Sequence, residues 1–250
     1  MSAGIDVLAF GPHPDDVEIF CGGVMIRLAQ LGYRTGVVDL TRGELASRGT
    51  VEERAREAEA AAAVMGLAFR ENLGLPDGFL DPSPASAHVG PVVEAIRRHR
   101  PEIVLIPWLT ERHPDHVAAA RLLLRAAFLS ALARFETSPA RERFAPRRVV
   151  HYEMRVRMEG GFVVDTSAAW PAKLEAIRCH ASQIGLGPVP TLIGSPLALD
   201  AIEARDRYQG SRIGVRHGEA LRTAETLGVT DPVALLRLAP GDAHLFEPPP

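Results

Sequence analysis

Cysteine is scarce in this 250-residue chain: only Cys21 and Cys179 are present. Two thiols and no CxxC pair exclude a disulfide framework and point to reduced, buried side chains. Lysine is scarcer still, because Lys173 stands alone and arginine supplies the other basic charges. Acidic residues outnumber basic ones, 31 against 28, for a net charge of −3. No basic field is therefore available to attract nucleic acid. No run is apolar enough to span a membrane. Met1 to Asp6 lacks the basic and hydrophobic regions of a signal peptide. These absences lead to the expectation of a cytoplasmic protein acting on a small molecule, with no nucleic-acid or membrane partner.

What is present is an alternation of strand-like and helix-like segments. Ile5 to Phe10 is a short apolar run ending at Gly-Pro, and Thr35 to Leu40 and Ile103 to Pro107 are similar. A weaker strand is expected near Leu67 to Leu73. Helices are expected over Val17 to Leu31, Val51 to Met65, Val89 to Arg100 and Asp115 to Phe135, three of them closed by Gly32, Gly66 and Pro101. The second half is less regular. Arg148 to Met154 and Gly161 to Val164 read as strands, and Pro171 to His180 and Ala198 to Arg207 as helices. Gly185 to Pro196 reads as a loop placed to cover a site. The pattern predicts a Rossmann-like α/β fold: a mostly parallel twisted sheet with helices on both faces, in a single domain. That domain is expected over residues 1–239, with a loose tail over 240–250.

In such a sheet, sites form beyond the carboxyl ends of the strands. Two polar clusters fall there. His13-Pro14-Asp15-Asp16, with Glu18 close behind, follows the first strand. Glu111-Arg112-His113-Pro114-Asp115-His116 follows the fourth. Neighbouring imidazoles and carboxylates are costly to bury without a charge partner, and a divalent cation supplies one. Imidazole and carboxylate donors with no thiolate nearby suit Zn2+ with an open position for water. The same donor types suit non-haem Fe2+. Helix capping by Asp15, Asp16 or Asp115 is the competing explanation. It leaves the coincidence of His13, His113 and His116 without a reason.

The two motifs, His13-Pro14-Asp15-Asp16 and His113-Pro114-Asp115-His116, resemble the motif pair of the PIG-L/LmbE-like zinc deacetylases. Thr41-Arg42-Gly43-Glu44, the helix from Arg54 to Ala58, and Asn72 to Gly78 extend the resemblance. His151 to Met154, Phe162 to Ser167, Lys173 to Ile177, Ile202 to Arg205 and Gly214 to Ala220 are similar to one branch, the bacillithiol-pathway deacetylase of N-acetylglucosaminyl malate. That branch commonly carries Tyr where this chain has His217 and an aromatic residue where it has Leu221. It also uses a loop tyrosine near the metal, for which Tyr208 is the nearest candidate.

The resemblance implies metal ligands His13, Asp16 and His116, with Asp15 as general base. His113, charged, would stabilise the oxyanion. Asp115 would orient a histidine ring or cap its helix. Arg54 and Arg112 would bind substrate carboxylates, and Glu44 and Arg48 are placed to meet sugar hydroxyls. The implied partner is a small amino-sugar conjugate, and the implied assembly a homo-oligomer. An inositol glycoside or a chito-oligosaccharide are alternative substrates. Outside this class stand a ferrous-iron oxygenase and a non-catalytic metal- or sugar-binding protein.

Overall fold

A computed structural model describes residues 4–185, 189–231 and 233. Thirteen elements alternate along the chain. β1 is Val7–Gly11, α1 Asp16–Gln30, β2 Thr35–Thr41, α2 Val51–Met65, β3 Phe69–Leu75, α3 Val89–His99 and β4 Ile103–Pro107. They are followed by α4 Pro114–Ser130, β5 Arg148–Tyr152, β6 Phe162–Asp165, α5 Trp170–Cys179, α6 Ala198–Ser211 and β7 Gly218–Thr223. The strands form one seven-stranded sheet in the order β3-β2-β1-β4-β5-β7-β6. The first five are parallel, and β7 pairs antiparallel with both β5 and β6. The expected single α/β domain is thus present, as a mostly parallel sheet with an antiparallel edge.

The strand order places the site. From β1 the chain winds outward through β2 and β3, then returns to add β4 on the opposite side of β1. Between the carboxyl ends of β1 and β4 the following loops diverge and leave a crevice. Both polar clusters lie at that switch point.

β1 and β2 are buried along their whole length, as strands covered on both faces must be. One core layer packs α1, α5 and α6 under the sheet through Phe20, Met25, Ile177 and Ile202. The other packs α3 and α4 through Val93, Ile96, Leu122 and Leu123. α2 begins with a capping box in which Thr50 and Glu53 satisfy each other's backbone N–H, and Gly66 ends it in the left-handed region.

Three expectations need correction. α4 ends at Ser130, not Phe135. The buried Arg97 guanidinium donates to the carbonyls of Leu129, Ser130, Leu132 and Phe135, holding the chain in a turn where a helix would have continued. β7 has no counterpart among the expected strands, because its sequence, Gly-Glu-Ala-Leu-Arg-Thr, puts a charged Glu219 on a buried face. α1 is not one continuous helix: Cys21 has φ −141° and breaks it. Glu219 accepts from the N–H groups of Gly23 (2.9 Å) and Val24 (2.7 Å), acting as a cap for the second half. Lys173 neutralises Glu219 at 2.5 Å and Asp206 at 2.5 Å in a fully buried triad. The tail expected over 240–250 lies outside the described residues.

Candidate metal centre

β1 delivers the chain at Gly11 into the turn Pro12-His13-Pro14. The Pro12 carbonyl accepts from the N–H and the hydroxyl of Thr41, each at 3.1 Å, which pins the turn to the end of β2. Asp15 takes the N-cap position of α1 at φ 119°, a left-handed conformation for a residue with a Cβ. Such backbone costs about 1–3 kcal/mol and persists where the surroundings enforce it. The Asp15 side chain makes no capping bond. It lines a cleft of about 350 Å3 together with Asp16, His13, His113 and His116.

Within that cleft the donor atoms of His13, Asp16 and His116 converge to within 4.8 Å of one another, and all three residues are buried. Asp16 Oδ2 lies 3.1 Å from His13 Nδ1 and 3.3 Å from His116 Nε2. Ligands about 2.0–2.1 Å from a tetrahedral ion stand roughly 3.3–3.4 Å apart, so these spacings fit a small divalent cation. The charge balance fits as well. Burial works to lower the His13 pKa, but its partners Asp115, Asp16 and Asp77 outweigh burial and hold it well above the ordinary value. A ring gripped in that way stands in a field that demands positive charge.

The second nitrogen of His13 is held from behind. Its Nε2 lies 3.1 Å from Asp77 and 3.5 Å from Asp115. Carboxylates in that position fix the tautomer and aim of a ligating ring. Asp77 is placed in turn by the N–H of Leu45, from which its carboxylate accepts. Asp115 accepts from the N–H of Gly78 (2.7 Å) and Leu80 (3.3 Å), so its carboxylate does not cap α4. That cap is His113, whose Nδ1 accepts from the N–H of Asp115 at 3.2 Å. With Nδ1 accepting, Nε2 is the ring nitrogen left to carry a proton. Burial, then the nearby His116 and His13, pull its pKa below the ordinary value. The ring stacks 4.6 Å from His116.

Asp15 has the opposite perturbation. Burial raises its pKa to about 6, against the lowering effect of Arg54. Arg54 is itself buried. It donates to Asp15 at 3.3 Å, to the Pro14 carbonyl at 2.6 Å and to the Gly43 carbonyl at 3.1 Å. Its guanidinium is therefore engaged in holding Asp15, although the residue also lines the cleft. Arg112 lines the cleft from its exposed edge. Glu18, although part of the first cluster, is fully buried against Arg70 and His180 and does not line the cleft.

Of the segment Gly185 to Pro196 expected as a loop, Thr191, Leu192 and Ile193 stand in the cleft wall. Gly185 is tied to the loop after β2: Arg48 donates to the Gly185 carbonyl at 2.7 Å, and Gln183 donates back to the Arg48 carbonyl at 2.7 Å. Glu44 accepts from the Asp77 N–H. Neither Glu44 nor Arg48 lines the cleft. Tyr208 does not reach it either, since it lies on α6 with Arg157 stacked over its ring. Asp77 lies in the segment Asn72 to Gly78 that extends the resemblance, but only the structure gives it a place, behind His13 and beside Gly78, a turn residue at φ 77°.

Comparison with known proteins agrees with this geometry. The family described as "PIG-L: GlcNAc-PI de-N-acetylase" matches residues 8–127, which hold both clusters. The diacetylchitobiose deacetylase of Thermococcus kodakarensis is 31% identical over 188 residues, covering 71% of this chain and 69% of that protein. The 1D-myo-inositol 2-acetamido-2-deoxy-alpha-D-glucopyranoside deacetylase of Kineococcus radiotolerans is 26% identical, covering 72% of this chain and 69% of that protein. Among solved structures, the conserved protein TT1542 from Thermus thermophilus superposes with a TM-score of 0.81 at 36% identity, covering 90% of this chain and 98% of that one. The chain belongs to the PIG-L family of metal-dependent deacetylases.

Proposed function

We propose that this protein hydrolyses the N-acetyl amide of an N-acetylglucosamine conjugate, and that N-acetylglucosaminyl malate is the substrate. The reading rests on one observation: a buried carboxylate with a raised pKa, Asp15, shares a cleft with the convergent donors of His13, Asp16 and His116. We take the ion to be Zn2+, which when bound supplies Lewis acidity and makes hydroxide accessible near neutral pH.

The chain's own residues do the rest. Asp15, held by Arg54, takes the proton of the attacking water and returns a proton to the departing amine. Its pKa near 6 suits both tasks near neutral pH. His113 donates Nε2–H to the amide oxygen as that oxygen gains charge. Asp77 and Asp115 keep the His13 ring aimed. Support for the malate conjugate comes from the segments between His151 and Ala220 and from Arg112 at the cleft edge. The names of the two relatives favour a second reading, in which the sugar carries inositol or another sugar. A cytoplasmic homo-oligomer is part of the same proposal and rests on the resemblance.

The test is to incubate zinc-loaded protein, with a chelated control, with the malate conjugate, the inositol conjugate and diacetylchitobiose, and to follow acetyl loss by mass spectrometry. Chelator-sensitive turnover of the malate conjugate alone supports the full reading. Equal turnover of all three keeps the amide hydrolysis and removes malate. Activity that needs ferrous iron and oxygen, or none with the metal verified in place, overturns the reading.

A further inference from the structure

The metal cleft continues sideways into a second cavity of about 340 Å3. Ile19, Phe20, Arg155, Leu192 and Ile193 line both spaces, so one wall joins them. Past that wall the groove runs along the first turns of α6, over Leu197, Ala198, Ala201 and Ile202. Leu192 is 52% and Leu197 68% exposed. Large apolar side chains open to water around a concave surface mark a place where something apolar is bound.

Among the described residues no carboxylate lines the groove, but two guanidinium groups do. They are not equivalent. Arg205 is engaged by Asp206 at 2.7 Å and by the Ile19 carbonyl. Arg155 lies 5.9 Å over the Phe20 ring at the junction of the two spaces. Its guanidinium has no hydrogen-bond or ion-pair partner among the described residues. Only its backbone N–H is held, by Glu111 at 2.7 Å. An open guanidinium fork matches a carboxylate. Arg205 is already neutralised, and Glu111 and Arg112 at the cleft edge act on Arg155 with opposite signs, so the junction keeps a small positive excess that suits a singly charged group better than a phosphate dianion.

We propose that this groove extends the aglycone subsite, so that beside the malate conjugate the protein turns over an N-acetylglucosaminide whose aglycone joins a carboxylate, held by Arg155, to an apolar chain lying along α6. The proposal rests on the deacetylase reading above but not on malate. Malate would satisfy Arg155 with one carboxylate and leave the apolar groove in contact with water. The acetamido group stays at Asp15 and His113, and the glycosidic oxygen carries the aglycone past Phe20.

Three glycosides of N-acetylglucosamine test this, with acetate release as the readout: the methyl glycoside, the lactate glycoside and the alpha-hydroxyoctanoate glycoside. Each methylene moved from water into the groove is worth about fourfold, so the longer hydroxy acid, with about five more methylenes, should exceed lactate by at least about 50-fold in kcat/KM. Ala201→Trp and, independently, Ala198→Phe fill the groove and should bring that ratio close to one. Arg155→Gln should lower kcat/KM for both acids relative to the methyl glycoside, by roughly 10-fold or more. A wild-type ratio below about three, or a ratio that survives both groove-filling variants, overturns the proposal while acetate release from the methyl glycoside leaves the deacetylase reading standing. No release from any of the three would overturn that reading and this proposal with it.

Discussion

Lys173→Met should be among the most damaging single changes outside the metal cleft. Lys173, Asp206 and Glu219 are buried together, with the ammonium 2.5 Å from each carboxylate. Removing the cation leaves Glu219 without a counter-charge in a space that water does not reach, and leaves Asp206 to Arg205 alone. Breaking a buried ion pair from one side costs about 3–5 kcal/mol. Here Glu219 also caps the second half of α1 through Gly23 and Val24, so the loss spreads to the helix that begins at Asp16. At about 2–4 °C per kcal/mol for a domain of this size, Tm should fall by roughly 6–20 °C. The loss should depend on pH. Burial already raises the Glu219 pKa, and Lys173 is the main influence that lowers it. Without Lys173 the folded-state Glu219 pKa rises further above its unfolded value. The folded state then binds more protons than the unfolded chain, and stability falls as pH rises through the folded pKa. Urea denaturation at pH 5 and pH 8 is the assay, and the deficit should be larger at pH 8. A deficit under about 1 kcal/mol at pH 8, or one equal at both pH values, would refute the argument. Adding Glu219→Gln to Lys173→Met should recover much of the loss, since Asp206 keeps Arg205 and no buried charge is then left unpaired.

Three further predictions concern the cleft. Asp15→Asn should keep the metal, measured by elemental analysis, and lower kcat by about 10^2–10^4-fold, the usual share of a general base. Asp77→Asn should leave the fold intact and weaken metal affinity by about 10–100-fold in a chelator competition, because the His13 ring loses its partner. Arg54→Met should move the acidic limb of kcat/KM to higher pH by about one to three pH units. The guanidinium lowers the Asp15 pKa, so its removal lets the base take its proton earlier as pH falls. An unmoved limb would mean that Arg54 does not act through Asp15.

Much of the fold is written locally. α2 is readable because its start and stop are both encoded within a turn, by Thr50 with Glu53 and by Gly66. β1 and β4 are readable because strands buried on both faces must be continuously apolar. The donors His13, Asp16 and His116 were visible as clusters at strand ends, where an open α/β sheet leaves its crevice. β7 was not visible. Its buried Glu219 is tolerable only because Lys173, 46 residues away, supplies the opposite charge. The early end of α4 was hidden for a similar reason, since the Arg97 that holds it lies on α3.

Residue type and spacing by themselves determined the alternating architecture and the chemistry of the donor set, because periodicity and ligand preference are properties of short segments. Only the tertiary structure decided how those residues are used. It set His113 to accept through Nδ1, gave Arg54 to Asp15, put Asp77 behind His13 and left Arg155 open at the mouth of an apolar groove. Each of these assignments depends on which group fills the last hydrogen-bonding or charge vacancy around a buried atom. Partners drawn from distant parts of the chain meet only when the sheet has brought its strand ends together.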